Sequence, residues 1–184
     1  MIEKKLDNKF LCYYQTNQKN GDPYFFVSRK RNVEDLAINS KEIKSDAVTI
    51  IPFYENGDIV FIKQFRPAIG RYIYELPAGL IDPNENPEES VKRELKEETN
   101  LDAKEISLLL SPRFLSCGLT DESSSIYKVL VSEDSDLSSK NQQVDEGEDI
   151  VSVIRIKKED LADFVMNNEV AMIASLIALG WNSL

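Results

Sequence analysis

The most informative stretch of this chain is GLIDPNENPEESVKRELKEETNL, residues 79–101. Its last part, RELKEETNL, surrounds the apolar Leu95 with three glutamates: Glu94, Glu97 and Glu98. A surface helix normally keeps its acids away from the apolar stripe that faces the core. The sequence therefore raises the question of what compensates this charge.

Local signals predict a helix here. Asn86 is a good N-cap, Pro87 suits the first helical position, and Glu89 completes a capping-box pattern. Asn100 tolerates the left-handed conformation that ends many helices. The stretch from 86 to 99 therefore reads as a helix of about 13 residues.

A helical projection places the acids against the core. With Val91 as the origin, Glu98 lies within about 20° and Glu94 within about 60° of it. Glu94 and Glu98 repel each other, and partial burial raises that cost. Arg93 projects to the far side beside Glu97, so it is not expected to neutralise the pair. Two readings remain: a glutamate-rich helix end in water, or a carboxylate set that converges on a divalent cation.

The composition limits which catalytic groups, metal ligands and partners the protein can use. The chain has 184 residues, no histidine and a formal net charge of −10. A missing histidine removes the commonest general base and transition-metal ligand. The negative charge argues against nucleic acid as a partner. A phosphate-ester substrate would therefore need positive charge from a hard cation, Mg²⁺ above all.

The same counts favour one globular protein in the cytoplasm. The N-terminal residues lack the apolar core of a secretory signal, and the run VAMIASLIAL has ten residues where a membrane span needs about 20. Cys12 and Cys117 lack metal-type spacing, so two free thiols in a reducing compartment are expected.

The remaining pattern predicts a mixed α/β sandwich. An N-terminal hairpin is expected from residues 11–14 and 24–27, and a second hairpin from AVTIIPFY and IVFIKQF with Gly57 in the turn. Further strands follow the helix, and two short helices close the chain, with Gly180 as the expected C-cap of the last one.

The helix and its approach also resemble a known signature. Gly79, Glu85 and the run RELKEE stand at the spacing of the 23-residue Nudix box, and one specified position differs because Asn100 replaces a glycine. The resemblance implies a Nudix α/β/α sandwich with a mixed sheet and a small N-terminal β lobe. It also implies an enzyme that hydrolyses a nucleoside diphosphate linked to another group.

By the same resemblance the box glutamates bind Mg²⁺ or Mn²⁺. Glu94 and Glu98 are then the principal ligands, and Glu97 is a ligand or lies just behind them. Arg93 orients the acids, and Ala78, the residue before Gly79, contributes its backbone carbonyl. The physics is consistent, because a bound metal ion neutralises a diphosphate and activates water.

Three further stretches resemble the ADP-ribose pyrophosphatase group: KQFRPA, YELPAGLID and SCGLTDESSSI. They imply that Arg66 contacts the diphosphate and that Glu122 is the general base. Glu75 is a weaker candidate for the metal site. The third stretch departs from the group, since Cys117 stands where proline is usual and the loop lies one residue further from the box. A solvated strand end remains the alternative for Arg66, and an acidic loop tip the alternative for Glu122.

The resemblance extends from about residue 45 to 180 and divides the chain into a lobe at 1–44 and a Nudix domain at 45–184. The resemblance implies that this lobe takes part in a homodimer. Its aromatic residues could stack a base. The expected reaction is the hydrolysis of ADP-ribose to AMP and ribose 5-phosphate. Other substrates such as GDP-mannose or a dinucleotide, a non-catalytic nucleotide-binding module and a plain acidic interaction protein remain alternatives.

Overall fold

The computed structural model describes residues 2–133, 137 and 149–184. The chain divides into two compact units, Met1–Ala47 with Leu110–Ser125, and Val48–Leu109 with Ile126–Leu184. The strands are β1 (Glu3–Asp7), β2 (Cys12–Asn17), β3 (Pro23–Ser28), β4 (Ala47–Phe53), β5 (Ile59–Arg66), β6 (Arg71–Glu75), β7 (Ala78–Leu80), β8 (Ala103–Phe114), β9 (Ser123–Val131) and β10 (Ile150–Ile156). The α-helices are α1 (Pro87–Thr99), α2 (Leu161–Asn167) and α3 (Met172–Gly180).

The N-terminal sheet has three antiparallel strands in the order β1-β2-β3. The hairpin of β2 and β3 confirms the sequence prediction, and β1 is an additional strand that the sequence pattern did not indicate. A small core lies on one face of this sheet: Cys12, Tyr14, Phe26 and Leu36. On the other side of the same hairpin, the rings of Tyr13 and Phe25 stack at 5.5 Å and both stay exposed.

The larger sheet, most of whose residues belong to the second unit, has the order β10-β5-β4-β9-β8, with β6 beside β5 and β7 beside β4. One face packs Ile62 against Val91 and Leu95 of α1. The other packs Phe61 against α2 and α3. The predicted α/β/α sandwich with a mixed sheet is therefore confirmed, and among the described residues α1 is the only helix on its face.

Helix α1 begins and ends as the sequence predicts. The Asn86 side chain accepts a hydrogen bond from the Glu89 N–H, and the Glu89 side chain accepts one from the Asn86 N–H. Asn100 ends the helix in the left-handed conformation with φ 59°. Because both ends are satisfied locally, the position of each glutamate around the helix is well defined.

The last helix ends differently from the prediction. Gly180 is its final residue with φ −89°, and Trp181 is the C-cap. The chain continues into a short 3₁₀ turn, Trp181–Ser183, so no left-handed residue is needed. The Trp181 indole N–H donates to the carbonyl of Gly57, whose φ of 89° confirms its predicted role in the β4–β5 turn.

Cys12 is buried and Cys117 is exposed, and both are free thiols. Among the helices in the described part of the chain, none has the length and apolarity to cross a membrane.

Candidate active site

Helix α1 buries two of its three candidate metal ligands. Glu94 is 7% exposed and Glu98 is 2% exposed, whereas Glu97 is half-buried. The capped ends fix the rotation of the helix, and Val91 and Leu95 hold it against the sheet. The crowding of acids against the apolar stripe is therefore present in the fold.

The start of β7 meets this pair of glutamates. The Ala78 N–H donates a hydrogen bond of 2.9 Å to Glu98 Oε2. Beside it, a Cβ atom at Gly79 would overlap the carboxylate of Glu94. Glycine is therefore required at position 79, because its missing side chain leaves the space that the Glu94 carboxylate fills.

Arg93 contacts the acids more closely than the helical projection indicated. Its Nη1 donates to Glu94 Oε1 at 2.6 Å and to Glu97 Oε2 at 3.1 Å, and its Nη2 donates to the Leu80 carbonyl at 2.9 Å. The expectation that Arg93 would not neutralise Glu94 is wrong. A projection treats a side chain as one direction, whereas the long arginine stem folds back along the helix surface.

Glu85 anchors the other side of the same guanidinium. Its carboxylate accepts from Arg93 Nε at 3.1 Å and Nη2 at 3.0 Å. The hydrogen bond from Arg93 lowers the pKa of Glu85 to about 2, and the same bond raises the pKa of Arg93. Sequence reasoning gave Glu85 no role, although its fixed place eight residues before Arg93 was the available signal. Glu85 positions Arg93, and Arg93 in turn holds Glu94 and Glu97.

A second ion pair lies on β5 and β6. Arg66 Nε donates to Glu75 Oε2 at 2.6 Å, and the Arg66 side chain remains partly exposed. The candidate diphosphate contact is thus held by a carboxylate in this structure. Glu75 is therefore paired with Arg66. A lone glutamate in a strand would instead face water.

Glu122 lies in the first unit. Arg29 Nε donates to Glu122 Oε1 at 3.1 Å, and the Glu122 N–H donates to Thr120 Oγ1. The neighbouring Asp121 accepts a hydrogen bond from the Ala37 N–H at 3.0 Å. The loop that carries Glu122 is therefore anchored by polar contacts within its own unit.

The donor set suits a hard divalent cation. Glu94, Glu97 and Glu98 offer carboxylate oxygens within two turns of one helix, and oxygen is what Mg²⁺ and Mn²⁺ prefer. In residues 2–133, 137 and 149–184, no three His, Cys, Asp or Glu side chains stand in metal-binding geometry as the side chains now lie. Arg93 forms ion pairs with Glu94 and Glu97 in this structure. Metal binding would therefore require the guanidinium to give up contacts with these two acids.

Comparison with known proteins agrees with this architecture. A family model of the NUDIX domain matches residues 44–172. The chain is 33% identical over 145 residues to an ADP-ribose pyrophosphatase of Bacillus subtilis (strain 168), covering 75% of this chain and 76% of that protein. It is 38% identical over 78 residues to an ADP-sugar pyrophosphatase of Mus musculus, covering 40% of this chain and 36% of that protein.

A solved structure supports the fold independently. The crystal structure of an ADP compounds hydrolase aligns with a TM-score of 0.67 and 20% identity, covering 100% of this chain and 90% of that chain. An α/β/α sandwich whose helix α1 and the strand before it carry a Gly-Glu-Arg-Glu signature defines a Nudix pyrophosphohydrolase. The chain belongs to the Nudix family, whose hydrolases generally need a divalent metal ion.

Proposed function

We propose that this protein hydrolyses the diphosphate bond of ADP-ribose, giving AMP and ribose 5-phosphate. The observation that carries the proposal is the buried pair Glu94 and Glu98, packed against Ala78 and Gly79 and flanked by Arg93. The choice of ADP-ribose is supported by the name of the Bacillus subtilis relative, which matches over three quarters of both chains.

We propose Mg²⁺, with Mn²⁺ as a substitute, as the metal ion. Glu94 and Glu98 would hold it, with Glu97 as a further ligand and the Ala78 carbonyl beside them. Gly79 has no side chain and so leaves room for the Glu94 carboxylate. When bound, the ion would neutralise diphosphate charge and lower the pKa of the attacking water.

The chain's own groups then do the rest of the chemistry. Arg66 leaves Glu75 to bind the diphosphate, since a guanidinium matches phosphate oxygens with two parallel hydrogen bonds. Glu122 accepts the proton of the attacking water. A P–O bond forms to the water oxygen, the bridging P–O bond breaks, and the bridging oxygen leaves on the second phosphate. Arg93, anchored by Glu85, would position the acids and give up contacts to them where the metal ion binds.

The assembly is a proposal of the same kind. We expect residues 1–44 to form a lobe that joins two copies into a homodimer and approaches the substrate, and residues 45–184 to form the catalytic domain. The exposed Tyr13–Phe25 stack supports the lobe's role in contacts. The two free thiols support the cytoplasm as the location. The charge of −10 supports a small-molecule partner, with neither nucleic acid nor membrane involved.

A substrate panel with Mg²⁺ tests the proposal. ADP-ribose, GDP-mannose, diadenosine polyphosphates and NADH are compared by kcat/KM, and products are separated chromatographically. ADP-ribose is expected to give the highest kcat/KM, with AMP and ribose 5-phosphate in equal amounts. A clear preference for another member of the panel would replace ADP-ribose, and tight binding of every compound without turnover would make the protein a nucleotide-binding module.

A further inference from the structure

Gln64 is a buried polar residue that the proposed mechanism does not use. It lies near the end of β5 and is 3% exposed. Its side-chain Oε1 finds no hydrogen-bond partner within the described residues. A buried acceptor without a donor destabilises the folded protein, so an unpaired amide at this depth calls for an explanation.

The register places Gln64 on the face of the sheet that α1 covers. Side chains alternate along a strand, so Gln64 shares its face with Ile62, which packs against Val91 of α1. On the neighbouring strand β6, Glu75 stands opposite Ile62 and Ile73 stands opposite Gln64. Gln64 therefore lies on the same side of the sheet as the helix that carries the acids.

The Arg66–Glu75 ion pair lies across the row of the sheet that holds Gln64, and we infer that it covers the Gln64 amide. Arg66 is two residues beyond Gln64 on the same face, whereas Glu75 lies opposite Ile62, two residues before Gln64. Their 2.6 Å contact joins these two positions and so passes across the intervening row that holds Gln64. When Arg66 moves to a diphosphate, that cover is removed.

We propose that Gln64 is a specificity-determining residue whose Oε1 accepts a hydrogen bond from a sugar hydroxyl of the substrate. This inference rests on the proposed hydrolysis of a nucleoside diphosphate sugar. A phosphate oxygen cannot satisfy Gln64 Oε1, because both are acceptors, whereas a ribose hydroxyl donates. Residues i and i+2 of a strand are about 7 Å apart, which separates a diphosphate at Arg66 from a sugar at Gln64.

The test replaces Gln64 by an apolar residue of similar length. In Gln64→Met, kcat/KM for ADP-ribose is expected to fall about tenfold, because the sugar hydroxyl loses its acceptor. The thermal midpoint of the ligand-free variant is expected to rise, because an unpaired buried acceptor has been removed. Lys63→Met, on the opposite face of the same strand, is the matched control and should leave kcat/KM unchanged. Gln64→Leu serves as a second variant if the methionine protein does not fold.

Two substrate analogues identify the hydroxyl. One lacks the hydroxyls of the nucleoside ribose and the other lacks those of the terminal ribose. The effect of Gln64→Met should vanish with one analogue and persist with the other, and the first identifies the contacted sugar. An equal loss with both analogues, an unchanged kcat/KM for ADP-ribose, or a lower thermal midpoint would each overturn the inference. If the unaltered protein cleaves no nucleoside diphosphate sugar, the proposed function fails first, and the role of Gln64 fails with it.

Discussion

The carboxylate of Glu94 fills the space beside Gly79 that a side chain at position 79 would occupy. This contact joins the strand before the helix to an acid that we propose as a metal ligand. It makes a glycine within strand β7 essential for steric reasons, because its missing Cβ makes room for another residue's carboxylate.

Gly79→Ala should therefore displace Glu94 while the sheet and helix stay folded. We expect kcat/KM to fall by about 10²-fold or more, and the Mg²⁺ concentration for half-maximal activity to rise. Gly180→Ala is the control, because in the described part of the chain no residue beyond its neighbours on α3 would crowd a Cβ there. Circular dichroism checks the fold. An active Gly79→Ala enzyme with ordinary metal dependence would contradict the assignment.

Glu98→Gln keeps the size of the side chain and removes its charge. We expect turnover to fall by at least about 10²-fold, because a neutral amide is a poor ligand for a hard cation. Unfolding midpoints should be equal or higher, since repulsion from Glu94 is relieved. Glu88→Gln, an exposed change on the same helix, is the control. Near-normal activity at saturating Mg²⁺ would remove Glu98 from the metal site.

Glu122→Gln separates two roles of the loop acid. If Glu122 is the general base, its replacement by glutamine should lower kcat by about 10²-fold and should change the metal dependence little. A change in KM alone would make it a substrate contact. No effect at all would mean that Glu97 removes the proton, or that a bound metal ion activates the water without a separate base. Glu34→Gln, at an exposed acid of the same unit, provides the comparison.

The pair Glu85–Arg93 should make stability depend on pH in a defined window. The pKa of Glu85 falls from 4.5 to about 2 in the folded protein, mainly because of the hydrogen bond from Arg93. The ionised carboxylate is thus favoured by folding, so its contribution is complete above pH 4.5 and is lost as the pH falls toward about 2. Glu85→Gln should lower the thermal midpoint at neutral pH, and its difference from the unaltered protein should shrink within that window. A difference that stays constant across a pH series would exclude this linkage.

The protein should be a homodimer in solution. The exposed Tyr13–Phe25 stack belongs to a three-stranded sheet with a small core, and such a sheet gains stability by burying its outer face. Light scattering at micromolar concentration should give twice the chain mass, and Tyr13→Ser with Phe25→Ser should reduce it. A monomer, or full activity after removal of residues 1–40, would contradict the prediction.

Local rules predicted the parts of the site that local contacts determine. The caps at Asn86 and Asn100 could be read from the sequence because their hydrogen bonds join residues a few positions apart. The Gly57 turn could be read for the same reason. The burial of Glu94 and Glu98 followed from helical periodicity once the apolar stripe was assigned.

Contacts that depend on tertiary packing or on side-chain flexibility could not be read in this way. The Arg93–Glu94 bond needs a rotamer that no projection specifies, and the Arg66–Glu75 pair needs the register of β5 and β6. The end of α3 was misassigned because Trp181 docks on the Gly57 carbonyl, a contact across more than a hundred residues of sequence. The buried amide of Gln64 has no sequence signal, since glutamine in a strand usually faces water.

The two thiols differ in a way that experiments can use directly. Cys12 is enclosed in the core of the N-terminal sheet, whereas Cys117 is exposed five residues before Glu122. A maleimide dye added to the native protein will therefore attach at one position, with no cysteine engineered in and none removed. The fluorescence of that dye offers a direct reporter of the loop that carries the proposed base as nucleotide and metal are titrated.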